Sequence, residues 1–196
     1  MSSDKYFTPP VDSTAPLPNI GEERISAKRF SSPEFMAREW SHLWRKVWNA
    51  GPRLEEIRAP GDYVVHELGK ESFLFVMGKD KRIRGFYNVC QHRGNRIFTS
   101  ESGSVRQVAC PYHGWRYALD GRLVEIPDAE RFCPAVDTSQ RSLKPVQLTL
   151  WAGTVWVNMD TNAQSLQDYL GPIIENLAPY HFENMVLAKH QTVLLD

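Results

Sequence analysis

The 196 residues are 42% hydrophobic and 23% charged and include six tryptophans, enough apolar material for one packed domain and a fragment of another, and too much for a disordered chain. Lysine plus arginine equal aspartate plus glutamate at 23 each, so bulk charge gives no reason to expect nucleic acid or an anionic membrane as a partner. No run approaches the roughly eighteen apolar residues of a membrane span, residues 1–18 lack the basic start and apolar stretch of a signal peptide, and a count of three cysteines fits a reducing compartment, so a cytoplasmic location is expected.

Residues 1–32 carry prolines at 9, 10, 16 and 18 among serines and threonines, a composition that resists both helix and ladder pairing, and are expected to form an extended arm. Ser31-Ser32-Pro33-Glu34 signals a helix start through a serine cap, a proline in the first turn and an early acid. Met36, Trp40, Leu43, Trp44 and Val47 follow at helical spacing as a packing stripe, and Gly51-Pro52 is the expected stop, giving an amphipathic helix over 33–52. The pattern then changes to strands. Short segments rich in branched and aromatic residues fall at 63–68, 72–77, 83–89, 105–109, 115–119, 122–126, 146–150 and 154–158, with a two-residue hairpin signal at Asp120-Gly121. The fold class expected is mainly β, a small antiparallel domain over 53–160. Ser165-Leu166-Gln167-Asp168 reads as a capping box opening an apolar face of Leu166, Tyr169, Leu170, Ile173, Ile174 and Leu177, kinked or divided at Pro172. Residues 185–196 read as one more strand.

Two segments carry chemistry. Cys90-Gln91-His92-Arg93-Gly94 is a C-x-H and Cys110-Pro111-Tyr112-His113-Gly114-Trp115 a C-x2-H, with seventeen residues between His92 and Cys110. Each offers one thiolate and one imidazole, the set needed when one iron of a two-iron, two-sulfur cluster is held by two cysteines and the other by two histidines. The same four donors could surround a structural zinc, but zinc modules draw their ligands from C-x2-4-C and H-x3-5-H pairs rather than from mixed ones. Gly94 and Gly114 let each loop turn sharply and bring N–H groups toward a negative centre. Cys133 is left without a partner cysteine and reads as a small buried hydrophobe.

These motifs, extended by Tyr117, resemble the N-terminal half of the alpha (large) subunit of Rieske non-haem iron oxygenases, the ring-hydroxylating dioxygenases and their monooxygenase relatives. The likeness runs from about residue 33 to 160. Respiratory and photosynthetic Rieske proteins carry an extra disulfide-forming cysteine in each loop, where this chain has Asn95 and Tyr112, and a serine where it has Trp115. With fewer donors to the reduced cluster, the potential is expected toward the lower end of the Rieske range.

The resemblance implies a Rieske cluster held by Cys90, His92, Cys110 and His113, with Arg93, Gly94, Tyr112, Gly114, Trp115 and Tyr117 packed around it. It also implies a ferredoxin or NAD(P)H reductase as donor, a ring of alpha subunits with or without a beta subunit, and a small organic substrate, aromatic or related, oxidised with O2. Residues 161–196 would begin an α+β catalytic domain. Its mononuclear iron is bound in the family by an acid, an H-x4-H and a distant aspartate, and no pair among His42, His66, His181 and His190 has that spacing. Arg93, Arg96 and Arg116 could form a basic rim for an acidic donor. A free-standing Rieske ferredoxin is the alternative reading, against which stand the helix before the β domain and the segments after it.

Overall fold

The computed structural model describes residues 21, 24–132 and 136–194, and the notable expectations for most of the arm and for Cys133 fall outside them. Ser32 caps the main helix α2 (Pro33–Glu39) by accepting the Phe35 N–H at 3.2 Å, with a short α1 (Lys28–Ser31) before it, so the last residues of the expected arm are helical. A π-helical turn (Trp40–Trp44) follows, in which the Arg45 N–H reaches back five residues to Trp40 O at 3.4 Å. The extra residue rotates the apolar stripe: Trp40, Trp44 and Val47 are half-buried, while Met36 and Leu43 stay exposed. The expected helix to residue 52 ends here instead. Its stop is the buried Asn49, whose amide donates to the carbonyls of Trp44 at 3.0 Å and Val47 at 2.9 Å, satisfying groups a helix end leaves open. Gly51-Pro52 lie in a strand, β1 (Asn49–Arg53). Among the described residues that strand pairs with β10 (Thr154–Asn158) alone, and it is bulged between Ala50 and Arg53, so a residue without an N–H is tolerated.

Among the described residues ten strands form three antiparallel sheets. β5 (Ser102–Ser104), like β1, falls where no strand is expected, while β2 (Asp62–Leu68), β3 (Glu71–Met77), β4 (Ile83–Tyr87), β6 (Val108–Ala109), β7 (Arg116–Tyr117), β8 (Leu123–Glu125), β9 (Gln147–Trp151) and β10 (Thr154–Asn158) lie within or close to the expected segments. The orders are β1-β10-β9, β4-β3-β2-β5 and β6-β7-β8. The four-stranded sheet is the middle layer. Side chains alternate across a strand, and in β3 both faces are covered: Leu74 and Val76 join one apolar cluster with Phe86, Trp115 and Tyr117, while Phe73 and Phe75 join another with Val155 and Val157. All four β3 residues are fully buried, which is why Phe73-Leu74-Phe75-Val76 is a continuous apolar run rather than an alternating one.

Asp120-Gly121 does turn the chain from β7 to β8, and Gly121 cannot carry a side chain, because at φ 88° a Cβ would come 2.5 Å from the Phe86 ring. Ser165 caps α3 (Leu166–Leu170) by accepting the Asp168 N–H at 3.1 Å, and Pro172 divides it from α4 (Ile173–Leu177). The strand expected over 185–196 is not formed among its described residues, 185–194. A strand needs a neighbour to take its N–H and C=O groups, and this segment, with Val186, Leu187, Val193 and Leu194 exposed, is paired with none of the ten. No helix among the described residues is long and apolar enough to cross a membrane.

Candidate metal centre

Both motif loops leave strand ends beside the cluster of buried side chains between the middle sheet and β6-β7-β8. They share one backbone plan. In the first, the Cys90 N–H donates to Asn95 O at 2.8 Å and the Gly94 N–H to Cys90 O at 3.0 Å; in the second, the Cys110 N–H donates to Trp115 O at 2.9 Å and the Gly114 N–H to Cys110 O at 3.1 Å. In each, the residue four after the cysteine must turn back on it, and Gly94 and Gly114 do so at φ 73° and 70°, a region open to glycine at no steric cost. The one-residue difference between C-x-H and C-x2-H is absorbed inside these matched turns.

The loops sort their donors by depth. Cys90 and Cys110 are free, buried and members of the same apolar cluster. His92 is half-buried and His113 exposed, their ring centroids 4.7 Å apart. Thiols thus pair on the inner side and imidazoles on the outer. Burial pushes the Cys90 thiol above its ordinary pKa, an effect partly offset by the Tyr117 hydroxyl, so a metal must displace its proton to bind. Burial, followed by the charges of His113, Arg93 and Arg141, holds His92 below the ordinary imidazole value, leaving its ring nitrogens free of an extra proton.

Around the donors, buried Trp115 stacks on His92 with centroids 4.8 Å apart and planes 9° apart, while Tyr112, 61% exposed, lies over His113 at 3.8 Å. Arg93 projects into solvent. Tyr117, fully buried, is more than packing: its oxygen accepts the Gln91 N–H at 3.0 Å and lies 3.2 Å from Cys90 Sγ. Asn95, at a position noted only for lacking a cysteine, aims its amide at Cys110 Sγ, 3.9 Å away. Sequence reasoning missed two others. Buried Asn88 clamps the first loop by donating to Phe98 O at 2.8 Å and Ser72 Oγ at 3.1 Å and accepting the Phe98 N–H at 3.0 Å. Arg141 donates to Gln91 O at 3.3 Å from fifty residues away. No local signal marks either residue, because their partners are distant in sequence or in the main chain.

The expected arginine rim is largely neutralised. Arg116 donates to both carboxylate oxygens of Glu125, and Arg96 is bound by Glu67, leaving Arg93 as the unpaired member among the described residues. A concavity of about 390 Å3 adjoins the imidazoles, lined by His92, His113, Trp115, Asp128, Arg131 and Phe132. The remaining histidines are elsewhere: His42 is exposed in the π-helical turn, His66 lies on β2, His181 bonds Glu183 at 3.1 Å, and His190 is exposed.

Among the described residues no three His, Cys, Asp or Glu side chains gather as a single ion requires. A tetrahedral zinc needs its four donors around one point. Two thiols beside two imidazoles suit a two-iron cluster, in which each iron takes one pair and the sulfides complete both shells. Residues 47–147, just over half of the chain, match the family model for the Rieske [2Fe-2S] domain. The chain belongs to that family. It is 36% identical over 146 residues to the carnitine monooxygenase oxygenase subunit of Escherichia coli K12, covering 74% of this chain and 39% of that protein. To the anthranilate 1,2-dioxygenase large subunit of Acinetobacter baylyi it is 32% identical, covering 79% and 33%. Among solved structures, the apo form of a quaternary ammonium Rieske monooxygenase superposes with a TM-score of 0.76 at 30% identity, covering 83% of this chain and 48% of the other. This Rieske chain therefore spans less than half the length of these relatives, all oxygenase components, and its own cofactor is the Rieske cluster.

Proposed function

We propose that Cys90 and Cys110 hold one iron through thiolates, His92 and His113 the other through one imidazole nitrogen each, and that this chain is the electron-relay part of a terminal oxygenase. The observation that carries the reading is the sorting of two buried thiols and two outward imidazoles by loops with the same hydrogen-bond plan. When bound, the cluster supplies a one-electron carrier. The protein's own contribution is to exclude water from the thiolate side through Trp115 and Tyr117, to fix the loops through Asn88 and the two glycines, and to leave the imidazole side open. Arg93, Gly94, Tyr112, Gly114 and Trp115 surround the cluster in this reading.

The whole protein, in the same reading, takes electrons from a ferredoxin or NAD(P)H reductase and delivers them to a mononuclear iron beyond this chain, where O2 oxidises a small organic substrate. The relatives' names widen the substrate expected from sequence: carnitine stands beside anthranilate, so aromatic compounds are one class and quaternary ammonium compounds another. Assembly with other alpha subunits, and a cytoplasmic location in which the thiols stay reduced, belong to the proposal. So does a division into an arm (1–27), a helical lead-in from α1 onward, a Rieske domain that takes in β1 with 53–160, and the start of a catalytic domain at 161–196.

Metal and acid-labile sulfide analysis with EPR of the reduced chain tests this. Two irons, two sulfides and a signal of mixed Cys/His ligation are expected; one zinc without sulfide refutes it. The chain alone should accept electrons and hydroxylate nothing, and turnover by a verified 196-residue preparation would refute the relay assignment.

A further inference from the structure

We infer that a basic groove beside the first cluster loop receives an acidic electron-donor protein, an inference that rests on the reading of the chain as a relay. The groove has a volume of about 510 Å3 and gathers Arg45, Lys70, Arg96 and Lys144 against one lining carboxylate, Glu71. In a chain whose charges balance, that is a local positive excess. Arg96 is committed to the fold, bound by Glu67 and donating to Phe98 O and Ser72 Oγ. Arg45, Lys70 and Lys144 are exposed and in no ion pair among the described residues. Charges of this kind, uncompensated at home, steer an oppositely charged partner and set its orientation.

At the imidazole face Arg131 is paired with Asp128 and nearby Arg116 with Glu125, and the uncompensated charges among the described residues are those of Arg93 and Arg141 beside His92. The two concavities share no lining residue, although both border the first loop, one through His92 and the other through Gly94. A donor in the groove leaves the imidazoles free for the acceptor.

The groove also meets the needs of a contact and of a short electron path. Half-buried Tyr87 and exposed Val89 give its floor an aromatic and an aliphatic surface within a charged rim, the anatomy of a protein-binding patch. Val89 is joined directly to Cys90, and the Gly94 N–H that borders the groove donates to Cys90 O at 3.0 Å. One electron leaves the reduced donor's iron–sulfur centre, which becomes diferric, and enters the diferric cluster, which becomes the mixed-valence form; no proton or further reactant is needed.

The test uses the cluster-loaded chain and an acidic plant-type ferredoxin, whose potential of roughly −400 mV is low enough to reduce a Rieske centre. Stopped-flow reduction by reduced ferredoxin, and binding of oxidised ferredoxin by calorimetry, are measured for the triple variant Arg45→Glu, Lys70→Glu, Lys144→Glu. The control, two charge reversals against three, is Lys79→Glu with Arg106→Glu, which alters cations lining other concavities. At low ionic strength the triple change should lower the second-order rate constant at least about tenfold and raise the Kd by a similar factor. The control should change either by less than about twofold, and dithionite, which needs no docking, should reduce all forms alike. If the triple variant does not fold, the three single changes to Gln are read instead, each expected to slow the ferredoxin reaction by about twofold. Equal effects in control and groove variants, or none in the groove variants, overturn the proposal, as does a change of oligomeric state with these rates intact, which would make the groove a face between copies. A wild-type chain without a two-iron spectrum fails before donor is added and takes the relay reading down with it; a normal spectrum with indifferent docking removes the groove alone.

Discussion

Replacing Tyr117 by phenylalanine removes one oxygen and leaves a ring that fills the same fully buried site. In the native chain that oxygen accepts the Gln91 N–H at 3.0 Å and lies 3.2 Å from Cys90 Sγ, to which it can donate once the sulfur is a thiolate. Burial, reinforced by the bond to Cys90, pushes the phenol well above its ordinary pKa, so the proton stays on the oxygen as a donor to sulfur. A hydrogen bond to a charged acceptor is worth about 1.5–3 kcal/mol and one between neutral groups about 0.5–1.5. Adding an electron to the cluster moves the sulfur toward the charged case, so the hydroxyl should favour the reduced state by about 1 kcal/mol. A tenfold change, about 1.4 kcal/mol, is 59 mV for one electron, so Tyr117→Phe should lower the potential by about 40 mV. Protein-film voltammetry reads the shift directly, with the EPR spectrum checking that ligation is unchanged. A shift below about 10 mV, or an upward one, would show that the hydroxyl does not donate to the ligand sulfur and that its task is to hold the Gln91 peptide.

Three further outcomes are expected. Asn88→Ala should cost about 2–4 kcal/mol by stranding the Phe98 N–H and C=O, seen as a lower Tm and a substoichiometric iron content; full cluster loading with an unchanged Tm would remove its role as the loop clamp. His66 carries a buried Nε2 without a hydrogen-bond partner among the described residues, and burial holds its pKa below 6.5 despite the opposing charge of Glu56. Its neutral form is therefore favoured on folding: the unfolded chain takes up a proton first as pH falls below 6.5, so this contribution is whole above that pH and is lost as pH falls toward the lower folded value. The urea midpoint should drop between pH 8 and pH 5.5 by more in the native chain than in His66→Phe; parallel drops would rule His66 out. Gly121→Ala should destabilise by more than about 1 kcal/mol, because it places a Cβ at positive φ and against Phe86, and an unchanged urea midpoint would contradict that turn geometry.

The sequence by itself determined the parts that depend on residue type at short range. Four donors at C-x-H and C-x2-H spacing define a cluster chemistry wherever the loops sit, because ligand identity is a property of the side chains. The positions of eight strands followed from branched and aromatic runs, those of β1 and β5 did not, and the turn at Gly121 followed from glycine's access to positive φ. What tertiary structure alone decided are relations between distant segments. The helix end was misplaced because its carbonyls are capped by Asn49 beyond a π-helical turn, so a side-chain bond made the stop before Gly51-Pro52 was reached. Residues 185–194 have a strand's composition but no strand beside them among the described residues, and composition cannot supply one. Arg96 and Arg116 looked like free charges because Glu67 and Glu125 reach them only across the fold. Tyr117 and Asn95 reach the two sulfurs by the same means: the fold brings them to cysteines 27 and 15 residues away, contacts that no local pattern encodes.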